Sequence, residues 1–293
     1  METPARAVET PSGKTAGDEN FPVGSFLLAK KLRPHVASYY AFARAIDDIA
    51  DNPDLRPFEK TERLEGFGRA IRGQTSDPVY EKALVLRASP EETGVDPRHA
   101  LDLISAFKQD AVKPRYKNWD ELMDYCNRSA SPVGRYLLEL HGEDQAAFKY
   151  SDALCNALQV INHLQDCRDD YLGLNRVYLP KAWLRKFGSS PDDLKQEAST
   201  PGLRKTLDRC VLESRRLMEA ARQLPGHLSS RTLAMESAVI IRIADKLLDK
   251  LARQDPLAMR VELTRLEFLG CGVSGVLAGL IARKPRRGLD AVI

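Results

Sequence analysis

The stretch Tyr40 to Asp51, YAFARAIDDIAD, decides the fold. Phe42, Ala45, Ile46, Ile49 and Ala50 recur at helical spacing, so the segment reads as a helix with one apolar face turned inward. Asp47 and Asp51 stand one turn apart on a common face, while Asp48 points round the side. Like charges at that spacing oppose an exposed helix by roughly 0.2–0.5 kcal/mol, and by more when buried. Something positive is therefore expected beside them. Arg44 lies one turn before Asp48 and can reach Asp47, but one guanidinium does not neutralise three carboxylates. A divalent cation does. Oxygen donors on a stiff helix suit magnesium, which keeps part of its water and shares its shell with substrate phosphates.

A second acidic stretch, Gln159 to Asp170, reads QVINHLQDCRDD. Asn162, Asp166 and Asp170 follow at four-residue steps, with Asp169 on nearly the same face, which predicts another row of oxygen donors along one helix. Two such rows facing each other across a helical bundle would cage magnesium and a diphosphate. The alternative for either stretch is a solvated acidic surface, but both rows are interleaved with apolar residues that would be buried.

The remaining chain agrees with an all-α protein. Among 293 residues, helical periodicity dominates and alternating apolar stretches are few. A formal net charge of +3, evenly spread, gives no reason to expect nucleic acid. Five cysteines without CxxC spacing read as buried free thiols in a reducing compartment, not as a zinc site. Residues 1–18 are polar, lack an apolar core and read as a disordered tail, leaving 19–293 as a single domain. Asn52-Pro53 should end the DDIAD helix. Further helices are expected at Arg56 to Gly73, Pro78 to Arg87 and Asp96 to Val112, the last with Asp96 as cap and Pro97 at its first position. Asp120 to His141 reads as a long helix broken or bent around Ser131-Pro132-Val133-Gly134, and Asp144 to Asp170 as the segment that carries the second acidic row. Leu203 to Leu224 and Leu233 to Leu251 complete the bundle. His163 sits beside Asn162, but one residue's rotation turns it away from the ligand row, so its expected role is structural. Arg115, in a basic turn, is a further cation to consider near a diphosphate.

Near the C-terminus, Gly270 to Gly275 formally matches GxGxxG, but no strand precedes it and too little chain follows for a nucleotide-binding unit. Phe268 to Ala282 is apolar and is followed by Arg283, Lys284, Arg286 and Arg287. Fifteen apolar residues fall short of the roughly 20 that span a bilayer. Two readings stay open: a final buried helix with a solvated basic tail, or a helix end resting on anionic lipid.

These motifs resemble the squalene and phytoene synthases. The first motif of that family corresponds here to Tyr40, Arg44, Asp47 and Asp51, and the second to Gln159, Asn162, Asp166 and Asp170 followed by Arg176-Val177-Tyr178-Leu179-Pro180. ENFPVGSFLL (Glu19 to Leu28), LRPHVASYYAFARAIDDIAD (Leu32 to Asp51) and YCNRSASPVGRYLL (Tyr125 to Leu138) resemble the hydroxysqualene synthases of bacterial hopanoid pathways most. The resemblance spans Glu19 to about Leu251 and implies a class I isoprenoid synthase bundle around a central cavity.

The resemblance further implies a magnesium-dependent enzyme that ionises presqualene diphosphate, opens its cyclopropane and captures one water. Asp47, Asp48, Asp51, Asn162, Asp166 and Asp170 are then the metal ligands. Tyr40, Arg44 and the aspartates form the catalytic set, and Ser25, Phe26, Tyr125, Gln159, Arg176 and Tyr178 contact substrate. Tyr40 and Asn118 are considered for placing the water. Condensation of two farnesyl diphosphates, squalene or phytoene formation, and a non-catalytic helical assembly factor are the alternatives; a terpene cyclase fits Arg44 and the R-V-Y-L-P segment poorly. The partner expectations are the prenyl diphosphate, neighbouring pathway enzymes and a peripheral contact with the inner membrane from the cytoplasm.

Overall fold

Pro34 lies in the first turn of the helix that carries DDIAD, where a missing N–H costs nothing, and the helix α1 (Arg33–Asp51) runs from there to Asn52. The computed structural model describes residues 8–10 and 29–281. Ser25 and Phe26, the remainder of the tail read as disordered, and the basic run from Arg283 to Arg287 lie outside them. Among the described residues there is no β-strand, only an isolated bridge between Arg115 and Val177.

α1 buries Phe42, Ala45, Ile46 and Ile49 completely against α2 (Pro57–Ile71), α3 (Glu81–Thr93) and α4 (Arg98–Val112). α4 begins one residue later than expected, yet Asp96 still caps it: its carboxylate accepts from the Arg98 N–H at 2.7 Å. The break or bend expected around Ser131 is a break at Ala130, between α5 (Trp119–Ser129) and α6 (Ser131–Leu140). Gly142, at φ +67°, then reverses the chain, which is the conformation glycine adopts without strain.

The segment from Asp144 to Asp170 likewise holds two α-helices. α7 (Phe148–Gln165) stops at Asp166 and α8 (Cys167–Leu174) begins beyond it. Asn175, at φ 53°, ends α8 in the left-handed region, and the chain then runs back beside residues 114–117. After α9 (Lys181–Lys186), α10 (Pro201–Ala221) packs along α7, and the short α11 (Leu224–His227) leads into α12 (Arg231–Leu251). The last described helix, α13 (Arg265–Ile281), lies on the outside of α12.

Val8 to Thr10 are held against this scaffold rather than loose. Arg63 donates to the Val8 carbonyl at 2.6 Å, and the buried Glu9 carboxylate pairs with Lys82 at 2.8 Å.

α13 approaches α12 backbone to backbone. A methyl added at Gly275 would lie 2.4 Å from the Val239 Cα, and one at Gly279 2.5 Å from the Met235 Cα. Gly275→Val should therefore lift α13 off α12 while sparing the bundle. Limited proteolysis is expected to cut the variant faster between α12 and α13, with near-ultraviolet circular dichroism unchanged; equal cutting of both proteins would contradict this packing.

Candidate functional site

Arg44 grips two acids of its own helix. Its Nη1 meets the Asp47 Oδ2 at 2.9 Å and its Nη2 the Asp48 Oδ1 at 2.7 Å. Asp48 is buried, so its carboxylate holds Arg44 inside the fold. Asp47 and Asp51 stay half-buried at the edge of the core.

The second row survives the break at Asp166. The Asp166 N–H still donates to the Asn162 carbonyl at 2.9 Å and the Asp170 N–H to the Asp166 carbonyl at 2.8 Å, so four-residue spacing carries through the kink. Asn162, Asp166 and Asp170 are all half-buried, whereas Asp169 is exposed and leaves the row. Burial anchors the kink nearby, where the Gln165 amide donates to the Val261 carbonyl at 2.6 Å.

Arg176 joins the two rows. Its guanidinium is buried, hydrogen-bonded to the Asp51 carboxylate and to the Ala50 carbonyl at 2.7 Å. Asp47 is pushed up to about 8 by burial first and then by Asp51, against the pull of Arg44 and Arg176. Asp170 is likewise pushed up to about 8, by burial and then by Asp166 and Asp51, again opposed by Arg176. Asp51 thus acts on acids of both rows, and Arg176 lies within reach of both. The protein's own cations do not balance the rows.

An acid that sequence reading did not single out completes the floor. Asp110, on α4, accepts from the Tyr125 hydroxyl at 2.5 Å and from the Tyr178 hydroxyl at 3.2 Å. Burial pushes Asp110 up to about 6, with Arg176 and the two tyrosine hydrogen bonds pulling the other way. Tyr116, Tyr125 and Tyr178 pack with centroids 5.3 to 5.6 Å apart. His163 stacks on Tyr178 at 3.6 Å and 8°, and its Nε2 lies 3.3 Å from the Gln159 amide nitrogen. Burial, and then Arg176, hold His163 down near 3, so it stays neutral and structural as expected. The signal available for Asp110 was an acid on the apolar side of an amphipathic helix.

Two expected contributors are used elsewhere. Asn118 is exposed and caps α5, accepting from the Glu121 N–H at 3.0 Å, which removes it as a water-placing residue. Arg115 donates to the Asn175 side chain at 2.7 Å and braces the turn after α8. Tyr40 is half-buried on α1, one turn before Arg44.

The donors fit magnesium. They are carboxylate and amide oxygens, and burial first, then neighbouring carboxylates, raise Asp47 and Asp170 against the pull of the arginines, so a further cation there would be favoured. Among the described residues no three acidic, histidine or cysteine side chains form a ready metal cage. Magnesium needs none, because it binds through one or two carboxylates and completes its shell with water and phosphate. A cavity of about 440 Å³, lined by Arg222, His227, Arg242 and Asp245 between α11 and α12, is not lined by either acidic row.

The family model described as squalene/phytoene synthase matches residues 14–267. A hydroxysqualene synthase of Rhodopseudomonas palustris is 40% identical over 96% of both chains. One from Zymomonas mobilis is 40% identical over 88% of this chain and 87% of its own. The crystal structure of squalene synthase HpnC from Alicyclobacillus acidocaldarius superposes with a TM-score of 0.70 at 33% identity, covering 82% of this chain and 90% of that one.

The raised acids have a consequence for stability. With folded values near 8 against an ordinary carboxylate near 4, the folded protein holds more protons than the unfolded chain between those limits. Stability therefore falls as pH rises through that window. In chelator, the urea midpoint is expected to drop from pH 6 to pH 8, and to drop less in Asp47→Asn, which has no carboxyl to ionise there. Equal drops in the two proteins would contradict the charge assignment.

Proposed function

The chain belongs to the squalene/phytoene synthase family, and on that premise we propose that it converts presqualene diphosphate and water into hydroxysqualene and inorganic diphosphate. The observation that carries the reading is Arg176, bonded to Asp51 of one row and drawing down Asp170 of the other, so that a single diphosphate can reach both. The 40% identity to hydroxysqualene synthases over most of the chain supports the choice of substrate and product.

Asp47, Asp51, Asn162, Asp166 and Asp170 would hold magnesium, which would supply positive charge to the departing diphosphate. Arg44 fixes the Asp47 carboxylate, and Arg176 fixes that of Asp51, each through one oxygen. Arg176 would also offer N–H groups to a phosphate oxygen. The carbon–oxygen bond breaks with both electrons leaving on the diphosphate, and stabilising that charge in a preorganised site lowers the barrier. The cyclopropane then opens, and the cation left behind is attracted to the faces of Tyr116, Tyr125 and Tyr178. Asp110 accepts from Tyr125 and Tyr178, which directs their hydroxyl protons away from the cation. A neutral His163 adds no opposing charge. Water forms the new carbon–oxygen bond and releases one proton, which the diphosphate can take. Tyr40 completes the lining, and Gln159 holds His163 in place. Residues 19–293 act as one catalytic unit in the cytoplasm, beside the enzymes that make the substrate and use the product.

Incubation of purified protein with presqualene diphosphate and magnesium is expected to yield hydroxysqualene without NADPH, by mass spectrometry. Product formed only from farnesyl diphosphate, or squalene formed only with NADPH, would overturn the assignment in favour of condensation or reduction. Asp47→Asn and Asp166→Asn are expected to lose about a hundredfold or more in kcat, in line with removing a preorganised electrostatic group, while keeping the wild-type circular dichroism spectrum. Near-wild-type turnover in either variant would remove the metal assignment.

A further inference from the structure

α13 has two opposed faces. Gly275 and Gly279 press one face onto the α12 backbone, which fixes the rotation of the helix. The opposite face carries Leu266, Leu269, Val273, Leu277 and Leu280, between 55% and 82% exposed and spaced three or four residues apart. They form one continuous stripe. Between Phe268 and Ile281 there is no charged residue. An unbroken apolar stripe of this kind on a soluble surface marks a contact.

The sequence states what it contacts. Directly after the helix come Arg283, Lys284, Arg286 and Arg287, with Asp290 the one acid in the rest of the chain given. A helix of 17 residues is about 25 Å long, short of the roughly 30 Å hydrocarbon core. Among the described residues no helix is long and apolar enough to cross a membrane. An apolar stripe parallel to the helix axis, followed by clustered cations, complements the leaflet of an anionic bilayer, where acyl chains lie just beneath phosphates.

We propose that α13 is an interfacial helix whose leucine stripe enters one leaflet of an anionic membrane while the basic run meets the lipid phosphates. A second copy of the chain is the weaker occupant. A stripe one side chain wide along about 25 Å falls short of the roughly 800 Å² that each partner buries in a standard interface, and two basic runs would repel. The inference stands apart from the catalytic reading, because α13 contributes no residue to the acidic rows.

Sedimentation of the full chain with phosphatidylcholine vesicles, with or without phosphatidylglycerol, tests it. Binding is expected to be at least about tenfold stronger with phosphatidylglycerol and to weaken as salt is raised. The triple variant Leu269→Ser, Val273→Ser, Leu277→Ser should lose that binding. So should, separately, replacement of Arg283, Lys284, Arg286 and Arg287 by Gln. Both variants should keep wild-type turnover on detergent-dispersed substrate and the wild-type circular dichroism spectrum. Vesicle binding that the triple variant retains in full would overturn the proposal. So would the absence of binding together with a wild-type dimer that the triple variant converts to monomer, since a second copy would then cover the stripe.

Discussion

Excess negative charge, confined between helices that cannot move apart, is the constraint on which the structure turns. Asp47 and Asp170 are each raised to about 8, because burial and neighbouring carboxylates outweigh the pull of Arg44 and Arg176. Such a site lowers stability, and the surrounding fold has to offset it. The offset comes from completely buried side chains on the inner face of α1, Phe42, Ala45, Ile46 and Ile49, one residue's rotation from the acids. The helix that carries the charges is therefore itself seated in the core.

Rigidity is shared between the two sides of the site in different ways. On the first side, α1 packs on α2, α3 and α4 and holds its acids by Arg44. On the second, α7 packs on α6, α10 and α12. The segment after Asn175 ties the sides together. Arg176 reaches Asp51, Tyr178 reaches Asp110, and the Val177 N–H donates to the Pro114 carbonyl at 2.9 Å. Asn175 in its left-handed conformation delivers all three contacts within three residues.

The acidic rows were legible because four-residue spacing is a one-dimensional signal of a shared helix face, and Phe42 to Ala50 set which face is inside. The termination at Asn52-Pro53, the break near Ser131 and the structural role of His163 were legible for the same local reasons. What escaped depends on partners distant in the chain. Asp110 gains its place from Tyr125 and Tyr178, 15 and 68 residues away. The kink at Asp166 keeps its hydrogen-bond spacing, so no change of pattern announced it. Arg115 and Asn118 looked available because a basic turn and an amide carry no mark of the cap or brace they form. Glu9 was read with a polar tail because its partner, Lys82, belongs to a helix formed much later in the chain.

The two arginines orient the acids without consuming them. Arg44 meets Oδ2 of Asp47, and Arg176 meets Oδ1 of Asp51. A carboxylate has about four acceptor positions over two oxygens, so one guanidinium contact leaves each acid acceptor positions for another cation. A lysine in either place would leave the carboxylate freer to rotate, since its ammonium is a point charge without a planar fork. Asp51 and Arg176 can then stay paired when a diphosphate arrives, one carboxylate oxygen on the guanidinium and the other on metal. The guanidinium still has N–H groups beyond those on Asp51 and the Ala50 carbonyl, because it carries five donors in all. The bridge between the rows is thereby also the point where charge leaving with the diphosphate would first be met.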